Sequence, residues 1–238
     1  MAPLSVDGGG HPPLPAAALR WRDLVGVVAG VLMAAALLKL FVIGAVRVSS
    51  PSMEGTLRPG DYALVSKIGF GGTFPLFLPW SPSVLTTVRV PALLTPRLGD
   101  VVVFHFGPET PAARTHPAGL LIKRCAAIAG DTLLLIGGRV FVNGRALLLP
   151  ASAATHDALS GASRPSDFGP VVIPAGHCFV LGDNLEESAD SRMFGPVPTD
   201  AIVGRAVLIY WSTSENGSGK SGTRQRTIQW DRIGAVVR

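Results

Sequence analysis

The feature that most constrains this chain is a long apolar run near its start, LVGVVAGVLMAAALLKLFVIGAV from Leu24 to Val46. Wound as a helix it would be about 34 Å long at ~1.5 Å per residue, enough to cross the hydrocarbon core of a bilayer. Lys39 is the one charge inside it and lies off centre, where it can snorkel to the interface; even a central lysine costs only about 2.5–3.5 kcal/mol on the insertion scale. The run is longer than the 7–15-residue core typical of a cleaved leader, and a long tail precedes it. The reading is a retained anchor over residues 23–46, after a Gly-, Pro- and Ala-rich tail, 1–22, expected to be disordered. Arg20 and Arg22 precede the run and Arg47 follows it, so flanking charge gives little orientation.

Beyond Val46 the sequence changes character. Short apolar runs alternate with turn residues, and 28 Gly and 20 Pro are spread over 238 residues without a period. That punctuation predicts a mainly β domain over 47–238. Gly-Asp recurs at Gly60-Asp61, Gly99-Asp100, Gly130-Asp131 and Gly182-Asp183, three of them heading strand-like runs. TLLLIGGRVFVNGRALLL reads as a meander, because Gly137-Gly138 and Asn143-Gly144 suit two-residue turns that need positive φ. IKRCAAIA and CFVLGD read as buried strands. Three stretches read as loops: residues 71–96, Pro-rich yet apolar and suited to contact with a membrane; 151–170, a surface insertion; and 212–225, around SENGSGKSG.

Net charge is +5, and Lys and Arg are scattered without dense runs or interleaved aromatics, which argues against nucleic acid as a partner and for attraction to anionic lipid. The five His show no metal-ligand spacing, and two distant cysteines do not make a zinc site. Cys125 and Cys178 could pair in an oxidising compartment or remain free core thiols.

Three segments could carry chemistry. VSSPSMEGTLRPGDYALVSK directly follows the apolar run and contains Ser49, Ser50 and Ser52. Lys123 stands inside the apolar strand LIKRCAAIA, where a lysine is seldom buried without a reason. GDNLEESADSRMFGPVP, residues 182–198, is dense in polar groups after a buried strand. Together, in this order, they resemble the bacterial type I signal peptidases, the leader peptidases. The resemblance rests on five boxes: SPSM-x-x-TL, GDYALVSK, RLGDVVVF, IKR…GD and GDN…SxDSRxxGxVP. The ending IQWDRIGAVV is similar too.

The resemblance implies a membrane-anchored β-sheet serine protease that needs no cofactor. In it Ser52 would be the nucleophile and Lys123 the general base. Ser50 and the Ser52 backbone N–H would form the oxyanion hole. Ser188 would hydrogen-bond and orient the Lys123 amine, and an Asp190–Arg192 ion pair would hold the loop that carries Ser188. Its substrates would be signal peptides of exported preproteins, cut after small residues (Ala-X-Ala type) near the export translocon. It would sit in the bacterial inner membrane, single-pass, with its catalytic domain on the outer side. Three departures stand out: Pro51 for a common Gly, Gly55 for a usual Pro, and Leu185-Glu186-Glu187 for a more polar stretch. A Ser/Lys maturation peptidase of the conjugative-pilus type, a self-cleaving repressor type, and a silent membrane scaffold are the rival readings.

Chemistry gives the lysine a requirement. It works as a base only when neutral, and at a free pKa near 10.4 only about 1 in 2,500 molecules is neutral at pH 7. Apolar Leu121, Ile122, Ala126 and Ala127 disfavour the ammonium, so an acid limb around pH 8 to 9 is expected. Alternation along the strand sends Lys123 and Arg124 to opposite faces, so Arg124 is expected to reach water.

Overall fold

The computed structural model describes residues 21–77, 84–90, 92–107, 119–150, 167–216 and 225–238. The chain divides into two compact units, Met1–Leu37 and Leu38–Arg238. The first contains most of helix α1, Trp21–Phe41, with Asp23 in its first turn. Its apolar side chains Leu24, Val25, Val27, Val28, Val31, Leu32 and Met33 are exposed. The described side chains of α1 are those of 21–36 and 38, and among the described residues no helix is long and apolar enough to cross a membrane.

The helix ends earlier than the 23–46 run predicts. Ile43–Arg47 is instead strand β1, paired antiparallel with β2, Asp61–Ser66. Periodicity cannot separate a buried helix from a strand inside one continuous apolar run, so the boundary was invisible in the sequence.

The second unit is mainly β, as expected. Its main sheet has the order β1-β2-β13-β5-β6-β11-β12, with β14 added on β13. Here β5 is Val101–Phe106, β6 Gly119–Ile128, β11 His177–Leu181, β12 Val197–Pro198, β13 Ile202–Asn216 and β14 Gln225–Ile228. A second sheet has the order β10-β7-β8-β9, built from β7 Thr132–Ile136, β8 Arg139–Val142, β9 Arg145–Leu147 and β10 Phe168–Val172. Its meander turns as predicted, with positive φ at Gly137, Gly138, Asn143 and Gly144.

Residues 71–96 contain a ladder rather than a plain loop: β3, Gly72–Phe77, pairs with β4, Val84–Val90. Likewise 213–216 and 225–228 pair as the ends of the β13–β14 hairpin, so only 217–224 of that expected loop lie outside the described residues. The insertion near 151–170 falls mostly outside them too, as does the tail 1–20.

Three of the four Gly-Asp pairs form one recurring turn. At Asp61, Asp100 and Asp131 the carboxylate accepts the backbone N–H three residues earlier, at 2.8, 2.9 and 2.9 Å, after a glycine with φ near +90°. Such a φ suits glycine and is strained for a side chain. Asp61 is fully buried and is also bonded by Ser212 and Arg232, which ties the chain's end to the start of β2. Burial raises the Asp61 pKa, but the bonds from Arg232, Arg58 and Ser212 outweigh it and hold the carboxyl below its usual value.

The cores lie on the sheet faces. One cluster holds Phe104, Phe106, Cys125, Cys178, Val180, Phe194 and Ile202. Another holds Val48, Met53, Leu57, Ala63, Val101 and Ile209, and it anchors the serine-bearing segment. Cys125 and Cys178 are both buried and free.

Candidate active site

Ser52 sits in a 3-10 turn, Pro51–Met53, just beyond β1. Pro51 at the first turn position fixes φ where a donor is not needed. Met53 and Leu57 are buried on either side of the following bend and pin the turn to the sheet. Within the turn, Glu54 N–H donates to the Pro51 carbonyl at 2.8 Å and Leu57 N–H to the Met53 carbonyl at 2.8 Å. The Asn184 N–H donates to the Ser52 carbonyl at 3.1 Å, so the loop after β11 holds the serine from behind.

Lys123 reaches the same point from β6. Its Cα partner is Val102 on β5. On the other side β11 pairs with β6 only from Arg124 to Ile128. Lys123 Nζ donates to Ser52 Oγ at 2.6 Å, and both side chains are buried. Ser50 Oγ lies 3.1 Å from Ser52 Oγ. The Ser50/Ser52 turn and Lys123, 71 residues beyond Ser52, thus share one spot, although β1 and β6 are separated in the sheet by β2, β13 and β5.

The lysine is electrostatically unusual. Burial lowers its pKa from 10.5 to about 8. The charges of Asp190 and Asp183 oppose that fall and the charge of Arg192 assists it. Removing water from an ammonium disfavours it more than these distant carboxylates restore it. Half of the lysine is therefore neutral near pH 8, against a tiny fraction for a free side chain.

The loop after β11 supports both residues. Asp190 is fully buried and Arg192 binds it twice, at 2.8 and 2.9 Å. Arg192 also donates to the carbonyls of Leu185 at 2.7 Å and Ser188 at 3.2 Å. Asp190 accepts in turn from the Gly182 N–H at 3.1 Å and caps the short helix α2, Ser191–Phe194. The Leu185 departure is accommodated because the loop uses its carbonyl, while its side chain is buried in the cluster with Leu133, Phe179 and Leu181.

Two expectations are corrected. Arg124 does not reach water. It is 4 % exposed and grips Asp183 at 2.6 and 2.8 Å, the Gly99 carbonyl at 2.7 Å and Thr56 Oγ1 at 2.7 Å. Alternation did send it to the other face, but the Gly99 turn and the Thr56 bend cover that face. Ser188 does not bond Lys123. Its Oγ is buried with no hydrogen-bond partner, because the amine is directed at Ser52 instead.

Sequence reading missed Gly182 and Asn184. Gly182 belongs to the Gly-Asp pattern but lacks a positive φ. It is bare for room: a Cβ there would collide with the Ser188 side chain and with the Ser52 carbonyl. Its place in that pattern hid the different role. Among the described residues no group of three or more His, Cys, Asp or Glu is placed to hold a metal.

Residues 21–211 match the family described as signal peptidase, peptidase S26. Signal peptidase I of Leptolyngbya laminosa is 32% identical over 182 residues, covering 76% of this chain and 74% of its own length. The probable signal peptidase I-2 of Synechocystis sp. is 29% identical over 197 residues, covering 83% and 76%. A crystal structure of a signal peptidase I from Enterococcus faecalis V583 is 26% identical and covers 47% of this chain and 97% of its own, with a TM-score of 0.38. With a matched segment that runs from the start of α1 through most of β13 and takes in Ser52, Lys123 and the 182–198 loop, this chain belongs to the signal peptidase family, peptidase S26, a family of serine peptidases.

Proposed function

We propose that this chain is a membrane-anchored endopeptidase that removes signal peptides from exported preproteins, with Ser52 as nucleophile and Lys123 as general base. The observation that carries the reading is the 2.6 Å bond between Lys123 Nζ and Ser52 Oγ in a buried setting. A serine hydroxyl is a weak nucleophile until an adjacent base takes its proton, and a lysine with a pKa of about 8 can take it near neutral pH. Ser52 Oγ then bonds the scissile carbonyl carbon. Ser50, at 3.1 Å, and the Ser52 N–H are the donors for the oxyanion. As the carbon–nitrogen bond breaks, Lys123 returns the proton to the leaving amine. The acyl-enzyme is hydrolysed in the second half-reaction.

The substrate binds extended. Residues 119–123 of β6 have no partner strand on the β11 side among the described residues, and a backbone edge of that kind accepts an added strand. Cleavage follows small residues, one and three before the cut (Ala-X-Ala type). The exposed apolar side chains of α1 support the anchor, with lipid as its partner and the inner membrane as its place. Signal peptides emerge on the outer side near the translocon, so the catalytic unit works there.

Purified full-length protein should cut a preprotein in trans, and Ser52→Ala should fold normally yet lose essentially all turnover. Turnover near the parent level in that variant, or a folded parent that cuts no preprotein, refutes the reading and leaves the scaffold alternative.

A further inference from the structure

Three residues, Pro51–Met53, form the 3-10 turn that carries Ser52, and a turn of that length does not hold its shape unaided. Upstream it is fixed by backbone pairing, Val48 N–H to the Asp61 carbonyl at 2.8 Å and Gly60 N–H to the Val48 carbonyl at 2.9 Å. Downstream the chain leaves in a bend, and there Thr56 engages its backbone N–H, its carbonyl and its hydroxyl at once. The N–H donates to the Met53 carbonyl at 3.1 Å. The hydroxyl accepts from Arg124 Nη2 at 2.7 Å, and the carbonyl accepts from Arg232 Nη2 at 3.0 Å. Both arginines are rigid reference points, because each bonds both oxygens of a buried carboxylate, Arg124 those of Asp183 and Arg232 those of Asp61. Such two-pronged pairs fix orientation as well as distance.

Arg124 is the neighbour of Lys123 on β6, so one strand grips the serine bend twice: Lys123 at Ser52 and Arg124 at Thr56. The contacts close into a ring, because Asp183 adjoins Asn184, whose N–H donates to the Ser52 carbonyl. One grip would let the bend pivot; two set the separation of Ser52 Oγ from the base. We infer that Thr56 is a positioning residue for Ser52, its hydroxyl keying the nucleophile bend to β6 through Arg124. The inference rests on the Ser52/Lys123 reading above. Attack requires the serine oxygen to lie within hydrogen-bond reach of the amine and in line with the scissile carbon at the same moment, and a displacement of about 1 Å costs on the order of 10²-fold in rate. Such a displacement weakens the transition state, while ground-state binding of an extended peptide along the β6 backbone is left as it was.

The test compares Thr56→Val, which keeps the shape and removes the hydroxyl, with Thr56→Ser, which keeps the hydroxyl and removes the methyl. Folded full-length protein is assayed on a peptide that spans a signal-peptide cleavage site. The kcat of Thr56→Val should fall about 10- to 10²-fold with KM within about 2-fold of the parent, and the kcat of Thr56→Ser should stay within about 3-fold of the parent. A purely structural role would lower Tm and leave kcat of the folded enzyme where it was. Parent-like kcat in Thr56→Val, an equal loss in Thr56→Ser, or an effect confined to KM each overturns the inference. Thr56→Ala repeats the comparison if valine does not fold there, and failure of both to fold makes the hydroxyl structural, which overturns it too. Failure of the underlying reading looks different: Ser52→Ala then turns over at the parent level, whatever the Thr56 variants do.

Discussion

Lys123 and Arg124 are neighbours on one strand, both 4 % exposed, yet they occupy opposite electrostatic worlds. Arg124 faces a carboxylate that it binds through two nitrogens, and a carbonyl and a hydroxyl take its remaining directions. Lys123 faces a hydroxyl, and among the described residues no carboxylate lies within ion-pair distance of it. A guanidinium cannot surrender its proton in a protein, so the arginine corner is a fixed structural charge that joins β6 to Asp183 and to the serine bend. An ammonium stripped of water and offered no close counter-charge is displaced toward its neutral form. The comparison teaches that burial alone does not make a reactive cation; burial without a close counter-charge does.

The strongest way to break this comparison is to make the two corners alike. Lys123→Arg should lower kcat/KM by more than about 10³-fold at every pH up to 9, since its charge is permanent. In the parent, kcat/KM should climb with pH through an acid limb near 8, as the ammonium gives way to the active amine. A working arginine variant, or a limb no lower than that of a free lysine, would show that the lysine corner is not the reactive one.

Removing the arginine sharpens the contrast from the other side. Arg124→Ala leaves Asp183 buried without its partner, and breaking such a pair typically costs about 3–5 kcal/mol. Denaturant unfolding should show a loss of that size, and Arg124→Ala/Asp183→Asn should recover part of it. A loss under 1 kcal/mol would mean that the pair contributes little to holding β6 against the loop.

The smallest effect is the most diagnostic. Lys123→Met should stabilise the protein at pH 7, by up to about 3 kcal/mol for a pKa lowered from 10.5 to about 8. The sign follows from proton uptake. Below pH 8 the lysine is charged in both folded and unfolded chains, and the folded state carries the whole desolvation cost. Between pH 8 and 10.5 the unfolded chain holds a proton that the folded one has shed, so parent stability rises with pH. The advantage of the methionine variant should therefore shrink across that window in thermal melts at successive pH values. A constant difference from pH 7 to pH 10.5 would contradict the buried-lysine account.

Much of this was legible beforehand, for local reasons. The positive-φ turns at Gly137-Gly138 and Asn143-Gly144 follow from chain stereochemistry, and so does the three-fold Gly-Asp turn. The strand that carries Lys123 follows from its apolar run. What escaped depended on neighbours the sequence does not name. The end of α1 at Phe41 is set by pairing between β1 and β2, not by any change in apolarity. Gly182 looks like the other three Gly-Asp glycines and differs only because Ser188 and Ser52 converge on it. Alternation assigned Arg124 correctly to the face opposite Lys123, yet could not reveal that Asp183, Gly99 and Thr56 enclose that face.

The sequence by itself therefore determined the inventory: a mainly β unit behind an apolar run, a serine in a proline-stiffened bend, a lysine in a strand, and a polar loop containing Asp190 and Arg192. These are properties of residues and their immediate neighbours along the chain. Only the tertiary structure decided which of them meet and in what state. Ser52 and Lys123 are 71 residues apart, one in the turn just beyond β1 and the other on β6, and three strands separate β1 from β6 in the sheet, so their 2.6 Å contact exists only once the sheet is assembled. The lysine's pKa, the arginine's enclosure and the idle hydroxyl of Ser188 are likewise set by what surrounds each group in three dimensions, because desolvation and hydrogen bonding act through space rather than along the chain.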